Sequence, residues 1–200
     1  MTRFAPLPRR FYEPSVEVVA PRLLGHWLIR NTPAGPCGGV IVETEAYHSG
    51  DPASHAYRGQ TARNRVMFGA PGHAYVYFIY GCHYCVNAVC RPAGVAEAVL
   101  IRAIEPAFGE ESMLARRPVR QRLQLTNGPA KLCQAMNIDR ELDGVDLCDN
   151  QSALFIARNP KANAYRKKHG PIAVTPRIGI TRAATLQLRF LLRGSPFVSI

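Results

Sequence analysis

Strand-like alternation of apolar and polar positions dominates the chain. Residues 41–47 (IVETEAY) open with β-branched Ile41, Val42 and Thr44 and close on an aromatic, which predicts a short strand. Side chains on a strand alternate faces, so Glu43, Glu45 and Tyr47 point one way and Val42, Thr44 and Ala46 the other. Upstream, residues 26–30 (HWLIR) read as a strand. Residues 32–36 (TPAGP) then read as a turn leading back through Gly38 and Gly39. Residues 74–87 (AYVYFIYGCHYCVN) form the most aromatic segment, and β-rich runs on both sides of Tyr80-Gly81 predict a hairpin turning near Gly81. Residues 95–104 give another strand, with Leu100, Arg102 and Ile104 alternating against Ile101 and Ala103. Residues 186–192 give the last, with Leu186, Leu188 and Phe190 inward.

Helical signals are fewer. Ser15 is placed to cap a helix that runs to Leu23 and Leu24 and stops at Gly25, with Pro21 as a kink or a second start. Asn127-Gly128-Pro129 starts a helix over residues 129–136, with Asn127 as cap and Pro129 in the first turn. The first fourteen residues are Pro-rich and read as irregular; residues 159–170 read as a basic, exposed loop and Asp143-Gly144 as a turn. Residues 48–72 are a long polar connection, which in a compact domain signals function or disorder. Strands from distant parts of the chain with few helices between them predict an α+β fold. The expected architecture is a single domain over residues 1–200, on a curved, mostly antiparallel β-sheet with flanking helices and a protruding β-hairpin.

Charge narrows the picture. Lys and Arg number 25 against 14 Asp and Glu, a formal net charge of +11 over 200 residues. The cations cluster at Arg58, Arg63 and Arg65, at Arg116, Arg117, Arg120 and Arg122, and at Arg166, Lys167 and Lys168. Such clusters suit a polyanion, nucleic acid before membrane, since no basic amphipathic helix stands out. No apolar run reaches membrane-spanning length, and the N-terminal residues carry Pro and charge where a signal peptide needs an apolar stretch. A cytoplasmic protein, nucleoid-associated through DNA binding, is the expectation. The six cysteines (37, 82, 85, 90, 133 and 148) are expected as reduced thiols. Cys82 and Cys85, near His83 and Cys90, could suggest zinc. The pair lies in strand-like sequence without a second paired knuckle, so no metal is expected.

Two carboxylates and a tyrosine on one strand face leave three readings open. Both glutamates could belong to a solvated face paired with arginines. Glu43 and Glu45 could be the two acids of a sugar hydrolase, since strand neighbours two apart stand roughly 6.6 Å apart, within the inverting range of about 6.5–9.5 Å. Both project from one side, however, and +11 suits a neutral glycan poorly. The chain could also bind nucleic acid without chemistry, through cations and stacking aromatics.

Five blocks, IVETEAY, HAYRGQTARNRVMF, YVYFIYGCHYCVN, LIRAIEP and NGPAKLCQAM, in this order and spacing, resemble the alkyladenine DNA glycosylases, which excise methylpurines and have a mixed α/β fold. The resemblance runs from about residue 11 to the C-terminal RGSPFVSI. It implies that Glu45 is the general base activating water against the anomeric carbon, and that Arg102 helps to hold that water. It implies that Tyr47, His55 and Tyr77 sandwich a flipped base, although Tyr77 shares strand parity with Tyr75 and Ile79 and on its own reads as core. Tyr80 corresponds to the intercalating tyrosine, a reading its hairpin-tip position supports. Leu100 corresponds to a residue near that wedge, and Asn87, at the end of the second hairpin strand, to the one that discourages guanine. Arg63, Arg65 and Lys131 are placed for DNA phosphates, Lys131 at a helix N-terminus. The implied protein is a monofunctional monomer without cofactor, acting on double-stranded DNA that contains damaged purines.

Overall fold

The computed structural model describes residues 4–199. Four helices and eight strands follow in chain order: α1 (Val16–Leu23), β1 (Trp27–Arg30), β2 (Cys37–Tyr47), β3 (Ala74–Ile79), β4 (His83–Cys90), β5 (Glu97–Phe108), α2 (Glu110–Arg116), α3 (Pro129–Met136), β6 (Leu154–Ala157), α4 (Ala162–Lys168), β7 (Ile172–Thr175) and β8 (Arg189–Leu192). All pairings are antiparallel, in the order β3-β4-β5-β2-β1-β6, with β7 and β8 branching from β2. The architecture is α+β, as the alternation predicted.

β2 is the axis of this sheet. Its first half pairs with β1 and its second half with β8 along the same edge, while β5 covers the other edge throughout. Gly38 and Gly39 allow the close approach: a Cβ at Gly38 would lie 2.0 Å from the Leu28 carbonyl oxygen, and one at Gly39 2.0 Å from that of Glu105. Helix α1 packs on β2 and β5, and α3 on β4 and β5. The main core lies between, with Val19, Leu23, Ile41, Ile104, Leu132 and Met136 fully buried.

The structure revises several boundaries and caps. The predicted hairpin exists, turning at Tyr80-Gly81, but Asn87 lies inside β4 and pairs with Tyr75 and Leu100 rather than ending the strand. Neither predicted side-chain cap forms. Val16 N–H at the start of α1 donates to Glu97 Oε2 at 3.1 Å, a carboxylate at the positive helix end. Gly128, not Asn127, occupies the cap position of α3. Residues 162–168 of the expected basic loop form α4, because Ala162 and Tyr165 turn inward while Lys167 and Lys168 stay in solvent. Leu186 precedes the last strand and is 39% exposed, whereas Leu188 and Phe190 are buried as expected. Residues 1–3 of the expected irregular opening, and the final residue, lie outside the described range. Residues 4–14 hold one 3-10 turn and a bridge from Pro6 to Ala157. Among the described residues, no helix is long and apolar enough to cross a membrane.

Candidate active site

Glu43 and Glu45 sit where β2 is enclosed by β5 and β8. Register shifts on both sides of Glu43 leave Val42 and Arg102 without directly opposed partners, and such bulges re-aim side chains. Arg102 reaches both acids. Its Nε donates to Glu43 Oε1 at 2.9 Å and its Nη1 lies 3.2 Å from Glu45 Oε1. Both carboxylates are 0% exposed, so the solvated-face reading is overturned. Burial opposes the Arg102 charge, but Glu45 and then Glu43 outweigh it and hold its pKa above the ordinary value.

The two carboxylates differ in what else they hold. Glu43 Oε1 also accepts from Arg189 Nε at 2.7 Å and Ser199 Oγ at 2.7 Å, and Oε2 accepts from the Ser199 N–H at 2.5 Å. Four donors thus hold Glu43, which ties the C-terminal segment to the sheet. A sugar hydrolase with Glu43 as its second acid loses that member. Glu45 Oε1 accepts from the Ile178 N–H at 2.8 Å, and Oε2 accepts only the Tyr47 hydroxyl, at 2.9 Å. One lone pair of Oε2 remains for a further donor, as on Glu43 Oε2.

Tyr47, Arg102 and Ile178, the partners of Glu45 among the described residues, line a cavity of about 280 Å³. His55, Tyr77, Tyr80, Asn87 and Leu100 line the same cavity, so one space collects most of the predicted site. The His55 ring meets Tyr77 edge-on at 4.4 Å between centroids, and its Nδ1 lies 2.9 Å from the Tyr75 hydroxyl. Burial, and then the Arg63 charge, lower the His55 pKa from 6.5, so the imidazole is neutral at pH 7. Burial raises the tyrosines: Tyr75 to about 12, Tyr77 with help from Cys85, and Tyr47 with help from Glu45. Tyr77 is half-buried in the cavity wall rather than sealed in the core. Asn87 is 4% exposed, and its Nδ2 donates to the Tyr75 carbonyl at 3.1 Å, which fixes the amide.

Tyr80 stands at the hairpin tip, 77% exposed and with φ +53, on the rim of the cavity. Leu100 is buried opposite Glu45 and Asn87, in the wall of the cavity. Arg63 is exposed and donates to the Phe78 carbonyl at 2.9 Å, and Arg65 is exposed nearby. Arg58, Arg63 and Arg182 line a second hollow of about 310 Å³, which shares Ser54 and His55 with the cavity and has no carboxylate in its lining. Lys131 is half-buried in the first turn of α3 and donates to Asn127 Oδ1 at 2.8 Å. Cys85 lies in the cavity wall while Cys82 is exposed, and among the described residues no group of three or more His, Cys, Asp or Glu is arranged to hold a metal.

Sequence reasoning missed Asp51, Arg177, Ile178, Arg189 and Ser199. Ile178 to Ile180 line the cavity from a loop without periodicity, and the fully buried Asp51–Arg177 pair joins residues 126 apart. Only the RGSPFVSI run hinted that the terminal segment matters, through Ser199.

A sequence model described as methylpurine-DNA glycosylase matches residues 10–196. A relative from Rhodopseudomonas palustris (strain HaA2) is 50% identical over 98% of this chain and 90% of its own length. One from Carboxydothermus hydrogenoformans is 48% identical over 96% of this chain and 98% of its own, and one from Methanoculleus marisnigri 50% over 96% and 98%. All three carry the name "Putative 3-methyladenine DNA glycosylase".

Proposed function

The chain belongs to the methylpurine-DNA glycosylase family, as a hydrolase of the DNA-3-methyladenine glycosylase type, and from that premise we propose how its residues divide the work. The protein acts as a monomer on duplex DNA, extrudes an alkylated or deaminated purine into the 280 Å³ cavity, and leaves an abasic site. Tyr80 fills the vacated stack, and Leu100 supports the pocket wall behind it. Tyr47, Tyr77 and His55 enclose the base. Asn87, its amide fixed by the Tyr75 carbonyl, opposes the exocyclic amine of guanine. Arg63, Arg65 and Lys131 hold phosphates, where counterion release drives affinity.

One observation carries this reading: a buried carboxylate, Glu45, is held by three cavity-lining residues, Tyr47, Arg102 and Ile178. It takes a proton from water as the oxygen attacks the anomeric carbon. Arg102, 3.2 Å from Glu45 Oε1, orients that water. A methylated purine already carries positive charge and departs as a neutral base, whereas hypoxanthine must gain a proton as it leaves. No amine forms a covalent intermediate and no metal is required, because activated water and a good leaving group suffice.

The test is release of base from duplexes that each carry one methylpurine, hypoxanthine or ethenoadenine, with chelator present and with borohydride in a parallel reaction. Release of at least one base without a trapped protein–DNA adduct is expected. No release of any of them, or a trapped adduct, most plainly at Lys131, contradicts the reading.

A further inference from the structure

Three walls of the cavity hang on one buried ion pair outside the proposed chemistry. The side chains of Asp51 and Arg177 are both 0% exposed. Nη1 and Nη2 of Arg177 span the two Asp51 oxygens, Nη2 at 3.1 Å, and Nη1 also donates to the Ala46 carbonyl at 3.0 Å. The guanidinium carbon lies 4.5 Å from the centroid of the Tyr47 ring. On the Asp51 side, Oδ1 accepts from the Ala53 N–H at 2.9 Å and the carbonyl accepts from the Ser54 N–H at 2.9 Å. These bonds fix the turn that brings Ala53, Ser54 and His55 to the cavity. On the Arg177 side, the next residue gives its N–H to Glu45.

Stability alone does not explain this arrangement. A buried ion pair is often no better than packed apolar groups of the same volume. Arg177 Nε, moreover, is buried without an acceptor among the described residues, an added cost. A planar fork that spans a carboxylate and a carbonyl while covering an aromatic face does explain the choice of arginine.

We infer that the Asp51–Arg177 pair is a positioning device for excision, setting the Ile178 N–H on Glu45 and the Tyr47 ring on the cavity wall. The inference rests on Glu45 as the water-activating group. The groups facing Glu45 are Glu43 and Tyr47 from β2, Cys85 from β4, Arg102 from β5 and Arg189 opposite it on β8, with Arg177 behind Tyr47. When the loop loosens, the single-turnover rate at saturating enzyme itself falls. A change that only lowered the folded fraction would raise the enzyme concentration needed for saturation and leave the saturating rate in place.

The experiment compares single-turnover excision rates at saturating enzyme for the wild type, Asp51→Leu/Arg177→Met, Arg177→Lys and Glu45→Gln, with thermal melts of each. The double variant replaces the pair by apolar groups. Arg177→Lys keeps the charge without the fork and decides the matter if the double variant does not fold. Expected are folded variants whose saturating rate is about 10- to 100-fold lower, in line with the sensitivity of catalysis to small misplacements. A folded variant at the wild-type saturating rate overturns the inference while Glu45→Gln stays impaired. Wild-type excision by Glu45→Gln overturns both the inference and the reading beneath it.

Discussion

Glu43 and Glu45, two apart on β2, are held by the same guanidinium, yet their other partners differ. Glu43 accepts from Arg102, from Arg189 and twice from Ser199, and Arg189 and Ser199 lie outside the cavity lining, whereas Glu45 meets Arg102, the Ile178 N–H and the Tyr47 hydroxyl, all three in that lining. The same residue type in the same strand thus serves anchorage at one position and, on the reading above, catalysis at the other.

Anchorage at Glu43 is a stability claim. Glu43→Gln removes a charge that faces two buried or half-buried arginines, and breaking such a pair costs about 3–5 kcal/mol. Urea denaturation should show a loss of that size. A loss under about 1 kcal/mol, within the usual range of surface changes, would mean that the hub does not hold the C-terminal segment.

Tyr80 makes the opposite kind of prediction, because its ring is mostly in solvent. Tyr80→Ala should leave the melting temperature unchanged while weakening discrimination between lesion and normal duplex by about 10-fold, since unstacking a nucleotide costs a few kcal/mol. The defect should shrink on mismatched or single-stranded substrates. Equal discrimination by variant and wild type on matched duplexes would remove the wedge role.

His26 makes stability depend on pH. Its Nδ1 accepts the Asn159 N–H at 3.2 Å, which requires the neutral ring. Burial, then the charges of Arg166 and Arg158, lower its pKa from 6.5 to about 4. The folded-state value lies below the unfolded one, so the unfolded chain takes the proton first and stability falls as pH drops from 6.5 toward 4. Between pH 6.5 and about 5, above the carboxylate range, His26→Gln should flatten that decline. His55, also lowered by burial and then by Arg63, acts in the same direction. Identical slopes for variant and wild type would assign the whole effect elsewhere.

Period-two alternation made β2 and the hairpin legible, with Glu45 and Tyr47 on one strand face and Tyr80 at the tip; Tyr77 read by parity as core, and the family resemblance alone pointed it to the pocket. The bulge that lets Arg102 reach both acids was not legible, because a register shift depends on the partner strand. Asn87 read as the end of the second hairpin strand and proved to lie buried inside β4, its amide satisfied by a carbonyl on the neighbouring strand, which sequence does not show. The Asp51–Arg177 pair was hidden for the same reason: an ordinary turn aspartate and a loop arginine gain their meaning only when folding removes both from water. In α4 the charge pattern signalled exposure and masked the inward Ala162 and Tyr165.

The central claim is the assignment of Glu45 as the base, and single-turnover excision by Glu45→Gln tests it most directly. The amide keeps the size and hydrogen bonding of the side chain but cannot take the proton of water. Lesion binding should persist while excision of hypoxanthine or a methylpurine falls by about 10²-fold or more, the usual contribution of a general base. Excision within a few-fold of wild type would contradict the account, and the buried face of β2 would then be only a scaffold.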